Sequence, residues 1–287
     1  MIVNYYPGGT INRLGAPVKY TGTFFVKIDE SNQSNWECHL LTNGTLTVTK
    51  DVDVDIFLVG GGGGGGSNIT GSASNPHWPS GGGGGRTHTE SNVQLARNAT
   101  YTATIGAGGA KGSDVGSEGE SGGATALVGG TINLSVAGGG GGGGTRASGG
   151  RAGGIGGYRF FNAGDLQSTQ GAEGGRPAVN VSETYPNSFS LDEKVSAFWE
   201  DGATPYAGGG AGGGYIDGSG FNSSIGSVGG PVGNYGGEGG GGASCHDGLP
   251  NTGGGGGGAY SRGTNVSEYL RAGNGGSGII IIRNHRT

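Results

Sequence analysis

No apolar run in the 287-residue chain approaches 18 residues, which excludes a membrane-spanning helix. Basic residues are neither abundant nor clustered. Sixteen Lys and Arg stand against 21 Asp and Glu, so there is no electrostatic footprint for nucleic acid. Two cysteines, Cys38 and Cys245, are too few for a disulfide framework. The opening MIVNYYPGGTINRLG has no charged segment followed by an apolar one, so classical secretion is not expected. The N-x-[ST] sequons at Asn32, Asn43, Asn68, Asn98, Asn133, Asn180, Asn222 and Asn265 are accordingly read as composition, not as glycosylation sites. Leu, Ile, Val and Phe amount to roughly 18% of the chain, too little for an ordinary core of this length. Yet the net charge of −5 is too small for the signature of a disordered chain.

Signatures of chemistry are missing too. There is no Gly-Lys-[Ser/Thr], so the phosphate-binding lysine and its metal-binding hydroxyl are absent, and G-x-G-x-x-G matches arise trivially in glycine runs. Gly119–Gly123, GESGG, satisfies G-x-S-x-G but lacks the strand before and helix after that a nucleophile elbow needs. Cys38-His39 and Cys245-His246-Asp247 make a poor metal site, because adjacent strand residues point to opposite faces. Cys38 reads as a buried structural thiol. Asp51, Asp53 and Asp55 read as a solvated strand face that discourages edge-to-edge association. No catalytic residue, cofactor or metal is expected.

What the chain has is glycine, 76 residues of it, without the Gly-X-Y period and abundant proline of collagen. The stretch Asp51–Gly66, DVDVDIFLVGGGGGGG, organises the rest: an alternating strand runs straight into seven glycines. Before it, residues 1–59 read as a small antiparallel β-module, with strands over Tyr20–Ile28, Trp36–Leu41 and Asp51–Val59. Asn43-Gly44 is a hairpin signal, since both residues tolerate the positive φ of a type I′ turn. Leu46, Val48, Val54, Ile56 and Leu58 are the expected core. After it, residues 60–287 carry pure glycine runs at 60–66, 81–85, 138–144 and 253–258, separated by segments with ordinary side chains. Asn92–Ile105 looks like a hairpin, Thr125–Val136 like two strands around Gly129-Gly130, and Ile279–Arg283 like a buried strand returning to the sheet over residues 279–283.

The glycine runs repeat and contain little serine, which argues against a flexible tether. Polyproline-II geometry would make each run a rod without internal hydrogen bonds, whose sideways N–H and C=O groups need partners from neighbouring rods. The expected fold is therefore mainly β and irregular: an N-terminal antiparallel module, then a polyglycine-II helix bundle closed by a C-terminal strand. About twelve rods alternate in direction, which puts the far-end loops at 67–80, 110–121, 145–148, 176–207, 231–235 and 259–272. Aromatic residues either cap rod ends or form a contact surface, since aromatic rings supply large, stiff contact area. The candidates are His77, Trp78, Tyr185, Phe189, Phe198, Trp199, Tyr206, Tyr235, Tyr260 and Tyr269.

The segments DIFLVGGGGGGG (55–66), TYTATIGAGGA (100–110), YAGGGAGGG (206–214), NTGGGGGGA (251–259) and GGSGIIIIRN (275–284) occur in an order that resembles glycine-rich proteins of tailed bacteriophages. Those are tail-fibre or virion structural proteins. More distantly, the chain is similar to phage adhesins in which polyglycine-II rods form a layered sandwich with receptor-binding loops at one end. The resemblance implies a virion protein on the phage tail or capsid exterior. It would contact a bacterial surface glycan or outer protein and join other tail-fibre or baseplate proteins, with a homotrimer as one assembly open to it. A non-receptor role in capsid decoration or tail assembly is the alternative. Neither nucleic acid nor membrane is an expected partner.

Overall fold

A computed structural model of the chain describes residues 2–6, 16–32, 34–67, 79–113, 116–144, 168–169, 197–199, 206–210, 215–217, 220–222, 241–242, 246–259, 261–262 and 272–286. The strands are β1 (Ile2–Tyr6), β2 (Val18–Tyr20), β3 (Phe24–Ile28), β4 (Trp36–Leu40), β5 (Gly44–Val48), β6 (Val52–Val59), β7 (Thr87–Leu95) and β8 (Thr100–Thr104). They continue with β9 (Thr125–Gly129), β10 (Ile132–Val136), β11 (Ser168–Thr169), β12 (Tyr215–Asp217), β13 (Gly220–Asn222), β14 (Ser261–Arg262) and β15 (Ile279–Asn284). A seven-stranded sheet has the order β1-β3-β4-β15-β6-β7-β11, and a five-stranded sheet the order β10-β9-β8-β5-β2. Every pairing within these two sheets is antiparallel. A small sheet β13-β12-β14 stands apart from them in pairing.

The two large sheets pack face to face. Phe24, Val26, Trp36, Cys38, Leu40, Val54, Ile56, Leu58, Ile280 and Ile282 from one meet Val18, Tyr20, Leu46, Val48, Tyr101, Leu127 and Val136 from the other. Period-2 alternation explains this, since each strand offers every second side chain to the interior. Val54, Ile56 and Leu58 face the sandwich core, while Phe57 and Val59 face the outside of the seven-stranded sheet, where a second apolar cluster covers them. Ile279–Asn284 enters between β4 and β6, buried on both faces through Ile282. An uninterrupted isoleucine run suits that position.

The mainly β character agrees with the sequence reading, but the expected polyglycine-II helix bundle does not. Among the described residues the protein is all-β, with two antiparallel sheets and no helix beyond a 3-10 turn at Ala197–Trp199. The physical reason is that the apolar segments after residue 60 do not serve as spacers in a bundle. Leu95, Tyr101, Leu127, Ile132 and Val136 join the core of the same sandwich as residues before 60. β7 pairs with β6 and β8 with β5.

Both long-range hairpin signals are corrected as well. β4 lies in the seven-stranded sheet and β5 in the five-stranded one, so the chain crosses between sheets at residues 41–43. Asn43 and Gly44 have no positive φ. Instead the Asn43 side-chain oxygen accepts the Ile105 N–H at 2.7 Å. The supposed hairpin Asn92–Ile105 is likewise a crossover, from β7 in one sheet to β8 in the other, with Asn98 at φ 61 in its turn. Residues 125–136 do form the hairpin read from the sequence, β9 with β10, with Gly130 at φ 56 supplying the turn.

Candidate functional site

The strand β6 passes into Gly60–Gly66, and there the hydrogen bonding changes from two neighbours to many. Gly60, Gly63 and Gly66 donate to the carbonyls of Arg86, Gly83 and Ser80; Gly61 and Gly64 donate to Gly123 and Glu120; Gly62 and Gly65 donate to Gly276 and Gly273, all at 2.8–3.0 Å. The carbonyls of the same segment accept from three further neighbours, Gly61 and Gly64 from Gly139 and Gly142, Gly62 and Gly65 from Gly109 and Gly112, Gly63 and Gly66 from Gly256 and Ala259. Six extended segments thus enclose one, and partners recur every third residue.

Side chains cannot enter such an array. A methyl carbon added at any of Gly60 to Gly66 would lie 2.0–2.2 Å from a neighbouring carbonyl oxygen. On the outside the rule relaxes with the same period. In 106–112, Gly106, Gly109 and Gly112 are buried while Ala107 and Ala110 are exposed. Individual hydrogen bonds between amides contribute only about 1 kcal/mol net, so rigidity comes from their number and from the sandwich that clamps one end.

The two ends of the array differ. Next to the sandwich, Gly60 donates to Arg86, Gly85 to Gly253 and Ala207 to Thr252. At the other end hydroxyls replace glycines. The Ser80 oxygen accepts the Gly143 N–H at 2.6 Å, and Ser67 and Ser117 share a hydroxyl contact of 3.1 Å. The chain leaves and rejoins the array there at Ser67 and Ser80, and again at Gly112 and Ser117.

On the outer face of the seven-stranded sheet, strand register sets up a row of alternating charges. Lys27 stands opposite Glu37, Glu37 opposite Arg283, and Arg283 opposite Asp55. Arg283 Nε donates to Asp55 Oδ2 at 3.0 Å, His285 Nδ1 lies 2.6 Å from Oδ1, and the Asn92 N–H donates to Oδ1 at 3.1 Å. Asp55 is 2% exposed. Burial pushes its carboxyl up, but the hydrogen bonds from His285, Asn92 and Arg283 outweigh that and hold it below the usual range. The expected solvated face of Asp51, Asp53 and Asp55 is therefore corrected at Asp55: the closing strand brings Arg283 beside it. His39, buried under the stacked Phe25 ring at 4.2 Å, is held below its ordinary value by desolvation, against the opposing bond to Glu37. Glu37 is lowered chiefly by that hydrogen bond.

Two predicted site residues lie on this face. The Phe198 ring is 6.1 Å from Phe57 and has the Arg283 guanidinium 4.0 Å from its centroid; Tyr206 is 5.4 Å from Phe57. Burial, with Glu37 nearby, pushes the Tyr206 hydroxyl up to about 12. Trp199 ends the 3-10 turn that carries Phe198, whose φ of 58 is a left-handed conformation held by this packing. Ala207, buried with Val59 and Ile279, returns the chain to the array beside the sandwich. The segment expected at the far end over 176–207 therefore finishes at the sandwich end, because Phe198 and Tyr206 find an apolar seat on the sheet. His77, Trp78, Tyr185, Phe189, Tyr235, Tyr260 and Tyr269 lie outside the described residues, as does Cys245. Sequence reasoning missed Asp55, Arg283, Glu37 and His39 as a connected row; only strand order brings them together.

Residues 41–285 match the model of a glycine-rich domain. No curated protein matches the chain.

Proposed function

The chain belongs to the glycine-rich domain family, and on that premise we propose that it is the tip or adhesin of a phage tail fibre. It would bind a bacterial surface glycan or outer protein through segments that join the glycine strands at the end away from the sandwich. The observation that carries this reading is the polarity of the array. One end is clamped by a β-sandwich, and at the other Ser67 and Ser80 flank a connection containing His77 and Trp78. Ala259 and Ala272 likewise flank one containing Tyr260 and Tyr269. A stiff block from which aromatic-bearing connections leave at one end is a suitable platform for contact, because the block itself needs no ordering on binding. Residues 1–59 would serve to attach or position the array on the virion, with other tail-fibre or baseplate proteins as partners. Many copies per particle would strengthen weak single contacts where geometry lets them engage together.

The reading makes no use of an enzymatic step. Among the described residues no cluster of three or more His, Cys, Asp or Glu could hold a metal ion. The test uses labelled full-length protein and cells of the bacterium that the phage infects. Binding that competes with phage adsorption, and that His77→Ala with Trp78→Ala removes, is expected. Absence of cell binding, with antibody labelling along the capsid or at internal tail joints, would favour a purely structural virion role instead.

A further inference from the structure

We propose that the free edge of β10 is a self-association surface, on which a second copy of this chain pairs its own β10 antiparallel across a twofold axis. The five-stranded sheet has two edges, and they are built differently. β2 is three residues long, follows Pro17 and carries exposed Lys19, all of which discourage strand addition. β10, INLSV, has no charge, no proline and no bulge against β9.

Main-chain groups on this edge are available. The hairpin closes with Ile132 opposite Gly129, and its turn is Gly130-Thr131. In a two-residue hairpin the closing pair and every second residue after it bond inward, so Ile132, Leu134 and Val136 face β9. Asn133 and Ser135 then direct N–H and C=O to the open side, and their side chains are exposed. Neither has a main-chain partner there among the described residues. Beside Asn133 in register stands Val128, 44% exposed, one of two large apolar side chains so exposed among the described residues.

Antiparallel pairing centred on Leu134 sets Asn133 opposite Ser135 of the second copy and Ser135 opposite its Asn133. The two five-stranded sheets become one continuous sheet, joined through the outward N–H and C=O groups of Asn133 and Ser135 of both copies. No charge opposes this arrangement on either side. Because the axis stands normal to the sheet between the two strands, the two glycine arrays point in opposite directions. This assembly differs from the threefold fibre and does not depend on the adhesin reading.

Sedimentation of the full chain over a hundredfold concentration range tests it. A monomer–dimer equilibrium is expected, with no trimer. Asn133→Lys with Ser135→Lys, and separately Asn133→Glu with Ser135→Glu, should each give monomers with wild-type circular dichroism. Mixing the lysine and glutamate variants should restore a dimer, because the register places unlike charges opposite each other. A wild-type monomer throughout, a trimer, or dimers in the lysine variant alone would overturn the proposal. Failure of the mixture to associate would overturn the register.

Discussion

Gly63 and Gly140 approach so closely that a methyl carbon on Gly63 would sit 2.0 Å from the Gly140 carbonyl oxygen. That distance is far inside van der Waals contact, and the obstacle is backbone with bonds of its own. Gly63→Ala is therefore expected to destabilise the protein by about 3 kcal/mol, the upper part of the range for overpacking. Ala110→Ser, on the exposed side of a peripheral segment, should stay within about 0.5 kcal/mol of wild type. Urea unfolding of both variants checks the contrast.

Asp55→Ala leaves Arg283 without its carboxylate where both side chains are almost enclosed, 12% and 3% exposed. Removing one partner of such a pair costs about 3–5 kcal/mol. Replacing Asp55 and Arg283 together by apolar residues should cost less than Asp55→Ala alone. The measurement is a double-mutant cycle by chemical denaturation.

The same carboxyl predicts acid behaviour. Its value in the fold lies below the ordinary 3.8, so its contribution is complete above that pH and is lost as pH falls through the folded value. Asp55→Asn should remove this part of the acid transition while lowering stability at neutral pH.

His39 titrates at higher pH with the same direction. Its value in the fold lies below the ordinary 6.5, so the unfolded chain takes up the proton first on acidification. The contribution is complete above 6.5 and declines as pH falls from there towards the folded value. His39→Gln should reduce the fall in urea midpoint between pH 7.5 and 5.5, with the wild type as reference.

Phe198 and Tyr206 sit on the sheet, so they act on stability before binding. Phe198→Ala should cost about 3 kcal/mol, as for loss of a buried aromatic ring, and leave cell binding by the folded fraction unchanged. Loss of binding at full stability would instead assign Phe198 to the contact surface.

Local pattern made some features legible. The alternation in residues 52–59 identified a strand and its core face, and Gly129-Gly130 marked the hairpin of residues 125–136, although its turn is Gly130-Thr131, one residue further on. Asn43-Gly44 misled for a physical reason. Its residues suit a tight turn, but Leu46 and Val48 have a better place opposite Tyr101 and Val18 in the second sheet. Nothing short-range distinguishes a turn within a sheet from a step between sheets.

Seven glycines without interruption determined, from the sequence alone, that Gly60–Gly66 could sit where no side chain fits. The period-3 return of Ala107 and Ala110 similarly marks a segment with one open side. Which segments surround which was decided only in three dimensions. Glycine has no side chain to specify a partner, so five of the six neighbours of Gly60–Gly66 are placed by the strands attached to them, β7, β8, β9, β10 and β15, whose side chains sort them into two sheets. The row Lys27, Glu37, Arg283 and Asp55 has the same origin: its members are distant in sequence, and only the insertion of β15 between β4 and β6 makes them adjacent.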